Sequence, residues 1–230
     1  MRWALSLLLS MTLALNMAVA AKLPNVEAPY LKTEPYAPED LNRVLYFFSY
    51  TCPFCAQYDS QFYVWGNSFP PNLILEAVPV VEDKSSIIYG RAFYAAKLTE
   101  PRKIAIFNSY VYYLIQSAGK DPNSYLTYEE AARESGLRVT EFKQHWEDPK
   151  NMEAIMEAHQ RYLHYRPRVT PTLVIKGQFI TDPDRVTGDY GLLFKLATGL
   201  LARIHEGTAD RDWFGEVMKE LEAESRTDAQ

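Results

Sequence analysis

The two cysteines of the sequence, Cys52 and Cys55, are separated by Pro53 and Phe54. A Cys-x-x-Cys pair can cycle between dithiol and disulfide, because one sulfur attacks and the other resolves the mixed disulfide. Pro53 favours the first turn of a helix, which places Cys52 at the N-cap, beside unpaired amides and the positive end of the helix dipole. A thiolate is stabilised there, so we expect the pKa of Cys52 to lie below its free value of about 8.5.

Three other roles for the cysteine pair are less well supported. A structural disulfide across four residues would remove little unfolded-state entropy, about 2 kcal/mol against about 4.7 kcal/mol for a 100-residue loop. Two inert buried thiols fit poorly with a proline between them at a helix start. A structural zinc site needs four ligands, and the four histidines lie far from the motif (His145, His159, His164 and His205). Redox chemistry is therefore the preferred interpretation.

The segments around the motif are typical of a strand–helix–strand unit. Residues 44–48 are apolar and rich in aromatic side chains, which predicts a buried strand. A helix over about 53–66 should follow, and residues 73–81 predict a second strand. Because a helix connects them, the two strands should be parallel and joined by a right-handed crossover.

The rest of the chain alternates between a helical block and a second strand region. Residues 85–165 have helical periodicity. The pattern there predicts a helix at 90–98 and a helix at 103–118 that forms the buried centre of a small bundle. A capping box at Thr127 and Glu130 marks the start of a third helix, Thr140 opens a fourth, and Asp148 caps a fifth that runs to about Tyr165. Beyond residue 166 the pattern predicts a hairpin (172–175 and 178–181), a helix at 190–204 and an amphipathic tail helix within 208–230.

Residues 1–20 have the features of a cleavable signal peptide. Arg2 precedes an apolar run at 5–15, and Ala18-Val19-Ala20 forms the cleavage motif before Ala21. The run is shorter than the roughly 18 residues that span a bilayer. Export would place the dithiol in an oxidising compartment, where a disulfide persists. The net charge of −5 argues against binding to nucleic acid or anionic membranes.

Three segments in combination make the chain resemble the DsbA family of bacterial periplasmic thiol:disulfide oxidoreductases, up to about residue 206. They lie at 44–55, 90–98 and 169–177. The resemblance implies an α/β fold, a thioredoxin fold with an inserted helical domain. The implied division is a signal peptide (1–20), the first part of the thioredoxin domain (21–84), the inserted helical domain (85–165), the second part of the thioredoxin domain (166–207) and a C-terminal amphipathic helical tail (208–230).

The resemblance also implies roles for individual residues. Cys52 would be the attacking nucleophile and Cys55 the buried resolving thiol of a redox-active Cys52–Cys55 disulfide, with Pro53 and Phe54 tuning the pKa of Cys52. Pro171 would be cis, leaving the backbone of Thr170 to hold an extended substrate strand, as in β-augmentation.

Three features leave questions open. Phe54 replaces the histidine usual in the family, as in the DsbL-like branch, so a cationic partner of the thiolate is absent. Tyr46 stands on the strand where an acid is common, and proton transfer to Cys55 then needs water or another group. Arg166 and Arg168 flank the proline loop and are either solvated or a basic rim that favours the thiolate or acidic substrates.

The expected function is that of a periplasmic oxidase that donates its disulfide to reduced exported proteins. No cofactor, metal or nucleic acid is expected, and a DsbB-like membrane quinone reductase would restore the disulfide. We expect a monomer, because no dimerisation domain precedes the first strand. The alternatives are a periplasmic reductase or isomerase of the same fold, and a metallochaperone that binds Cu(I) through the two thiolates. No Met-rich or His-rich stretch supports the last.

Overall fold

The computed structural model describes residues 27–208, together with Gly215 and Lys219. The account below concerns the compact unit that spans residues 28–209. The predicted signal peptide and, apart from these two residues, the predicted tail helix beyond Thr208 lie outside the described residues. Within the described part of the chain, no helix is long and apolar enough to cross a membrane.

A five-stranded mixed sheet forms the centre of this unit, in the order β1-β5-β4-β2-β3. Strand β2 pairs in parallel with β3 and antiparallel with β4. It is buried from Val44 to Phe48, because strands flank it on both edges and side chains of helices pack on both of its faces. The strands are β1 (Leu31–Lys32), β2 (Arg43–Phe48), β3 (Ile74–Pro79), β4 (Thr172–Ile175) and β5 (Phe179–Thr181).

Seven α-helices accompany the sheet within the described residues. Helix α1 connects β2 to β3, five helices lie between β3 and β4, and α7 follows β5. The arrangement is the predicted thioredoxin fold with a helical insertion. The helices are α1 (Pro53–Gly66), α2 (Ile87–Thr99), α3 (Ile104–Tyr112), α4 (Tyr125–Glu134), α5 (Val139–Glu147), α6 (Pro149–Tyr165) and α7 (Tyr190–His205).

The helical insertion departs from the sequence prediction at α2, which begins at Ile87 and not at residue 90, and in three further places. The helix expected over 103–118 is α3 followed by a π-helical turn, and it exposes Ile106 (50%), so it is not buried all round. The predicted capping box is wrong, because α4 begins after Ser124 and the hydroxyl of Thr127 donates instead to the carbonyl oxygen of Asp121. Helix α5 begins at Val139, one residue before Thr140, the predicted start.

Candidate active site

The dithiol lies where strand β2 gives way to helix α1. Cys52 is the N-cap of α1 and Pro53 its first residue, which suits proline because that position has no intrahelical N–H bond to lose. The Cys52 sulfur accepts a hydrogen bond from the backbone N–H of Cys55 at 3.3 Å. Cys52 is partly exposed and Cys55 is buried, and both are free thiols. One sulfur can therefore meet a partner while the other is shielded.

The surroundings move the pKa values of the two thiols in opposite directions. The pKa of Cys52 is lowered to about 6, chiefly by the hydrogen bond from the Cys55 thiol, against the opposing effect of burial, and further by backbone N–H groups at the helix start. The pKa of Cys55 is raised well above its usual range, first by burial and then by the neighbouring Cys52. At neutral pH the site therefore holds one thiolate and one thiol.

The proline loop lies directly against the nucleophile. The Thr170–Pro171 peptide bond is cis, in agreement with the resemblance. The carbonyl oxygen of Thr170 lies 3.0 Å from the Cys52 sulfur and accepts a hydrogen bond from it when Cys52 is protonated. The structure thus brings together the predicted motif and the predicted loop, which are 118 residues apart in sequence.

A groove of about 1060 Å³ begins at this contact. Its lining includes Ser49 and Thr170, which both hydrogen-bond to Cys52, and Arg166 and Arg168. Both arginines are exposed, and neither forms a salt bridge with any described residue. The groove therefore places two guanidinium groups, which form no salt bridge among the described residues, close to the Thr170 contact with the nucleophile, although the carboxylate of Glu82 also lines it.

Phe54 is an exposed aromatic side chain at the mouth of the site. It is 56% exposed, and its ring lies 6.2 Å from that of Tyr190 on helix α7. Tyr190 in turn stacks on Tyr58 with 3.5 Å between ring centroids. The position therefore offers the thiolate an apolar surface and no positive charge.

Comparison with known proteins agrees with this geometry. The family profile described as Thioredoxin matches residues 37–188, well over half of the chain. The chain belongs to the thioredoxin family. The thiol:disulfide interchange protein DsbA of Bordetella pertussis is 22% identical over 177 residues, covering 76% of this chain and 83% of the relative.

Solved structures agree on the fold. DsbA of Xylella fastidiosa superposes with a TM-score of 0.67 at 23% identity, over 80% of this chain and 100% of that one. DsbA of Pseudomonas aeruginosa gives 0.68 at 17% identity, over 78% and 93%. As the sequence predicted, the chain resembles DsbA proteins in its Cys-x-x-Cys motif, its paired thiols and its thioredoxin fold with a helical insertion.

Two polar side chains of this thioredoxin-family protein were not foreseen at the site. One is Gln116, whose amide nitrogen donates to the carbonyl oxygens of Tyr50 at 2.8 Å and Cys52 at 3.0 Å. Gln116 lies in the π-helical turn that follows α3, and such turns are frequent at functional sites. The helical insertion thus holds the backbone that carries the nucleophile. The sequence gives no signal for this contact, because it depends on the turn.

The other is Asp59, a buried acid on α1. Tyr46 donates a hydrogen bond to its carboxylate at 3.2 Å, and burial raises the pKa of Asp59 to about 7, although hydrogen bonds from Asn108 and Tyr46 favour its charged form. An acid therefore does contact Tyr46, but it comes from the helix and not from the strand. Its spacing of four residues from Cys55 was a readable signal, since that spacing puts both on one helix face.

Proposed function

We propose that the protein is a disulfide donor for reduced exported proteins. The observation that carries the proposal is the asymmetry of the thiols: the pKa of Cys52 is lowered to about 6, whereas that of buried Cys55 is raised. In a disulfide, the sulfur with the more stable thiolate is the better leaving group. Stabilising the Cys52 thiolate therefore favours the reduced form of the enzyme and the transfer of its disulfide to a substrate.

The proposed reaction has two exchange steps. A substrate thiolate attacks the Cys52 sulfur of the Cys52–Cys55 disulfide, which forms a mixed disulfide and releases Cys55. A second substrate thiolate then attacks the substrate sulfur of that mixed disulfide, which forms the substrate disulfide and releases Cys52 as a thiolate. Cys55 stays available to expel a substrate that has no second thiol, and this restores the enzyme disulfide.

We assign substrate binding to the proline loop and the adjoining groove. An extended substrate segment would lie along the backbone of Thr170, before Pro171, with its cysteine over Cys52. The two exposed arginines, Arg166 and Arg168, would favour segments with acidic residues near the reactive cysteine. Support for this assignment is that the groove wall and the nucleophile meet at Thr170, whose carbonyl oxygen lies 3.0 Å from the Cys52 sulfur.

The proposed setting is the periplasm, with a DsbB-like membrane quinone reductase as the partner that reoxidises the dithiol. The setting is supported by the leader pattern of residues 1–20 and by similarity to proteins named DsbA. The partner is inferred from that similarity alone. The protein would act as a monomer without a bound cofactor.

The redox state of the cysteines in the native compartment tests the direction of the proposed reaction. Cells are quenched with acid, free thiols are modified with a heavy maleimide, and the shift in electrophoretic mobility is read. We expect the steady-state pool to be oxidised, and to become reduced when the quinone-dependent pathway is blocked. A pool that is reduced in untreated cells would support a reductase or isomerase and contradict the oxidase proposal.

Cysteine variants test the division of labour between the two thiols. We expect Cys55→Ser to accumulate substrate proteins as mixed disulfides on Cys52, because no thiol remains to expel them. Cys52→Ser is the matched control and should trap none. If Cys52→Ser trapped substrates and Cys55→Ser did not, the roles would be reversed.

A further inference from the structure

Helix α6 carries two methionines and a histidine on one of its faces. Met152, Met156 and His159 are separated by four and then three positions, and side chains at these spacings are neighbours on a helix, with about 5–6 Å between Cβ atoms. The sequence has six methionines, of which the structure describes only these two. Met156 is 61% exposed, so its thioether is not part of the packed core.

All three side chains line one small cavity beside α6. Its volume is about 250 Å³, and the rest of its lining includes Ile155 from the same helix, Val81 from the segment after β3, and Ile87 at the start of α2. Sites for drug-sized organic ligands measure about 300–1,000 Å³. The cavity therefore suits an ion better than an organic molecule.

The ring of His159 is held in the tautomer that a metal ligand needs. Its Nδ1 atom lies 2.7 Å from the carbonyl oxygen of Val81. Because a carbonyl oxygen can only accept, Nδ1 carries the hydrogen, and the lone pair of the neutral ring is then on Nε2. Metal-bound histidines almost always donate their second ring N–H to an acceptor of this kind, which fixes the ring orientation. No described residue hydrogen-bonds to Nε2 of His159.

His164, on the same helix, has the opposite arrangement. Its Nε2 atom lies 2.8 Å from the carbonyl oxygen of Glu34, and its ring packs against that of Tyr165. It does not line the cavity. His164 therefore serves as a natural control for His159.

The ligand atoms at the cavity favour a soft monovalent ion. Thioethers select Cu(I), and imidazole also binds copper, whereas Ca²⁺ and Mg²⁺ need oxygen ligands. Among the described residues, no group of three His, Cys, Asp or Glu side chains could hold a metal ion. The cavity has one exposed acid and one exposed base, Asp83 and Lys84, and a carboxylate oxygen of Asp83 already accepts from Ser85 and Ser86. The two opposite charges give no net field that would favour a divalent cation.

We propose that Met152, Met156 and His159 bind one Cu(I) ion through the two sulfur atoms and Nε2. Ag(I), which has the same charge and is also soft, should occupy the same site. Binding changes no oxidation state, so it consumes no oxidant or reductant. The proposal departs from the sequence expectation that the chain binds no metal, because the cavity and the tautomer of His159 depend on the contact between α6 and the Val81 segment. It goes beyond the proposed disulfide donation and does not depend on it.

A bound ion would also fasten the segment after β3 to α6. Val81 lines the cavity, whereas its neighbours Val80 and Glu82 line the groove beside the dithiol. The ion would therefore stabilise one wall of the groove without touching either cysteine. Since a ligand that binds only the folded protein raises its stability, we expect Ag(I) to raise the melting temperature.

Competition with a chelator tests the site in a full chain that lacks both thiols. Cys52→Ser/Cys55→Ser removes the other soft ligands of the site region, and Cu(I) is titrated onto this thiol-free parent from its coloured bicinchoninate complex without oxygen. We expect one Cu(I) per chain. Loss of only the outer hydrogen-bond partner of a ligand costs about 10–100-fold in metal affinity, so adding Met152→Leu/Met156→Leu or His159→Gln should weaken binding at least as much.

Matched variants separate the loss of a ligand from a loss of packing. Leucine keeps about the volume of methionine, which cores tolerate well. Met218→Leu and His164→Gln, each added to the thiol-free parent, should bind Cu(I) with the affinity of that parent. If the thiol-free parent binds no Cu(I), or if the Met152→Leu/Met156→Leu chain binds it equally well, the proposal is overturned.

NMR with Ag(I) locates the ion without any change at the site. We expect the methyl carbon signals of Met152 and Met156 and the Nε2 signal of His159 to shift together and to saturate at one Ag(I) per thiol-free chain. Unchanged signals at these three groups would contradict the proposal, even if a variant failed to fold. Because the thiols are absent, neither outcome affects the proposed oxidase function, which is decided by the redox state of the cysteines in cells.

Discussion

Asp40 and Asp59 are both buried carboxylates, but among the described residues Asp40 has a salt bridge and Asp59 has none. They lie near opposite faces of strand β2, since Tyr46 contacts Asp59 and its neighbour Phe47 packs on Tyr165, which bonds to Asp40. Successive side chains of a strand point to opposite faces. The two carboxylates can therefore be compared within one core, on opposite sides of the same strand.

The negative charge of Asp40 is balanced by a neighbouring cation. Its carboxylate lies 3.0 Å from the guanidinium of Arg161 and accepts a hydrogen bond of 2.6 Å from Tyr165. Arg161 is itself 2% exposed and also contacts Glu157 at 2.8 Å. This network ties the segment before β2 to helix α6.

Asp59 has hydrogen bonds but no salt bridge to any residue that the structure describes. The difference teaches that burial alone does not give an acid a chemical role, because what matters is whether a fixed counterion holds its charge. Asp40, which precedes Asp59 by 19 residues, has such a counterion in Arg161. Among the described residues Asp59 has none, although it lies one helical turn from Cys55.

Replacing each carboxyl by an amide should give the largest difference in stability between the two sites. Asp40→Asn removes one carboxylate from the ion-pair network of buried Arg161, which keeps its contact with Glu157. We expect a loss of about 2 kcal/mol in the free energy of unfolding at pH 7. Asp59→Asn removes an unpaired acid, and we expect it to gain about 1–2 kcal/mol. Urea melts of the two variants at pH 7 measure both changes. An equal loss in both would mean that Asp59 has a counterion after all.

The pH dependence of stability gives the next largest effect. A raised folded pKa means that the stabilising contribution of Asp59 is complete below its unfolded pKa, near 4, and is lost as pH rises through about 7. We expect the wild-type protein to lose on the order of 3 kcal/mol relative to Asp59→Asn between pH 4 and pH 8. Melts of both proteins across this range measure the difference, and parallel curves would contradict the assignment.

The tyrosine partners should give the smallest effect. Tyr165→Phe and Tyr46→Phe each remove one hydrogen bond to a buried carboxylate, and each should cost about 1 kcal/mol. Only Tyr46→Phe should raise the pKa of Asp59, because the Tyr46 hydroxyl favours the charged form of that carboxylate. Titration of the Asp59 carboxyl signal by NMR in both variants checks this point. A shift caused by Tyr165→Phe would mean that the two sites are coupled.

Local patterns were enough to predict the framework around the dithiol. The apolar run at 44–48, the Pro53 signal and the length of the following segment gave α1 with its observed bounds, and Asp148 is the N-cap of α6 as predicted. These features depend on residues that are close together in sequence. The pairing of the motif with the Thr170 loop came from resemblance, because spacing does not reveal a contact across 118 residues.

What the sequence left hidden depends on tertiary contacts. The relevance of Asp59 follows from its burial beneath β2, and that of Gln116 from a π-helical turn that directs it to the carbonyl oxygen of Cys52. The burial of Asp40, in the segment before β2, depends on Arg161, which is 121 residues away. Each is a polar residue whose role is decided by its partner.

The acidity of Cys52 is the central claim of this account, and thiolate absorbance tests it most directly. The ultraviolet absorbance of the reduced protein is titrated against pH, with Cys52→Ser as the control that leaves only Cys55. The account predicts a wild-type transition near pH 6 that the control lacks. A Cys52 transition at about 8.5 or above, as in a free cysteine, would contradict it.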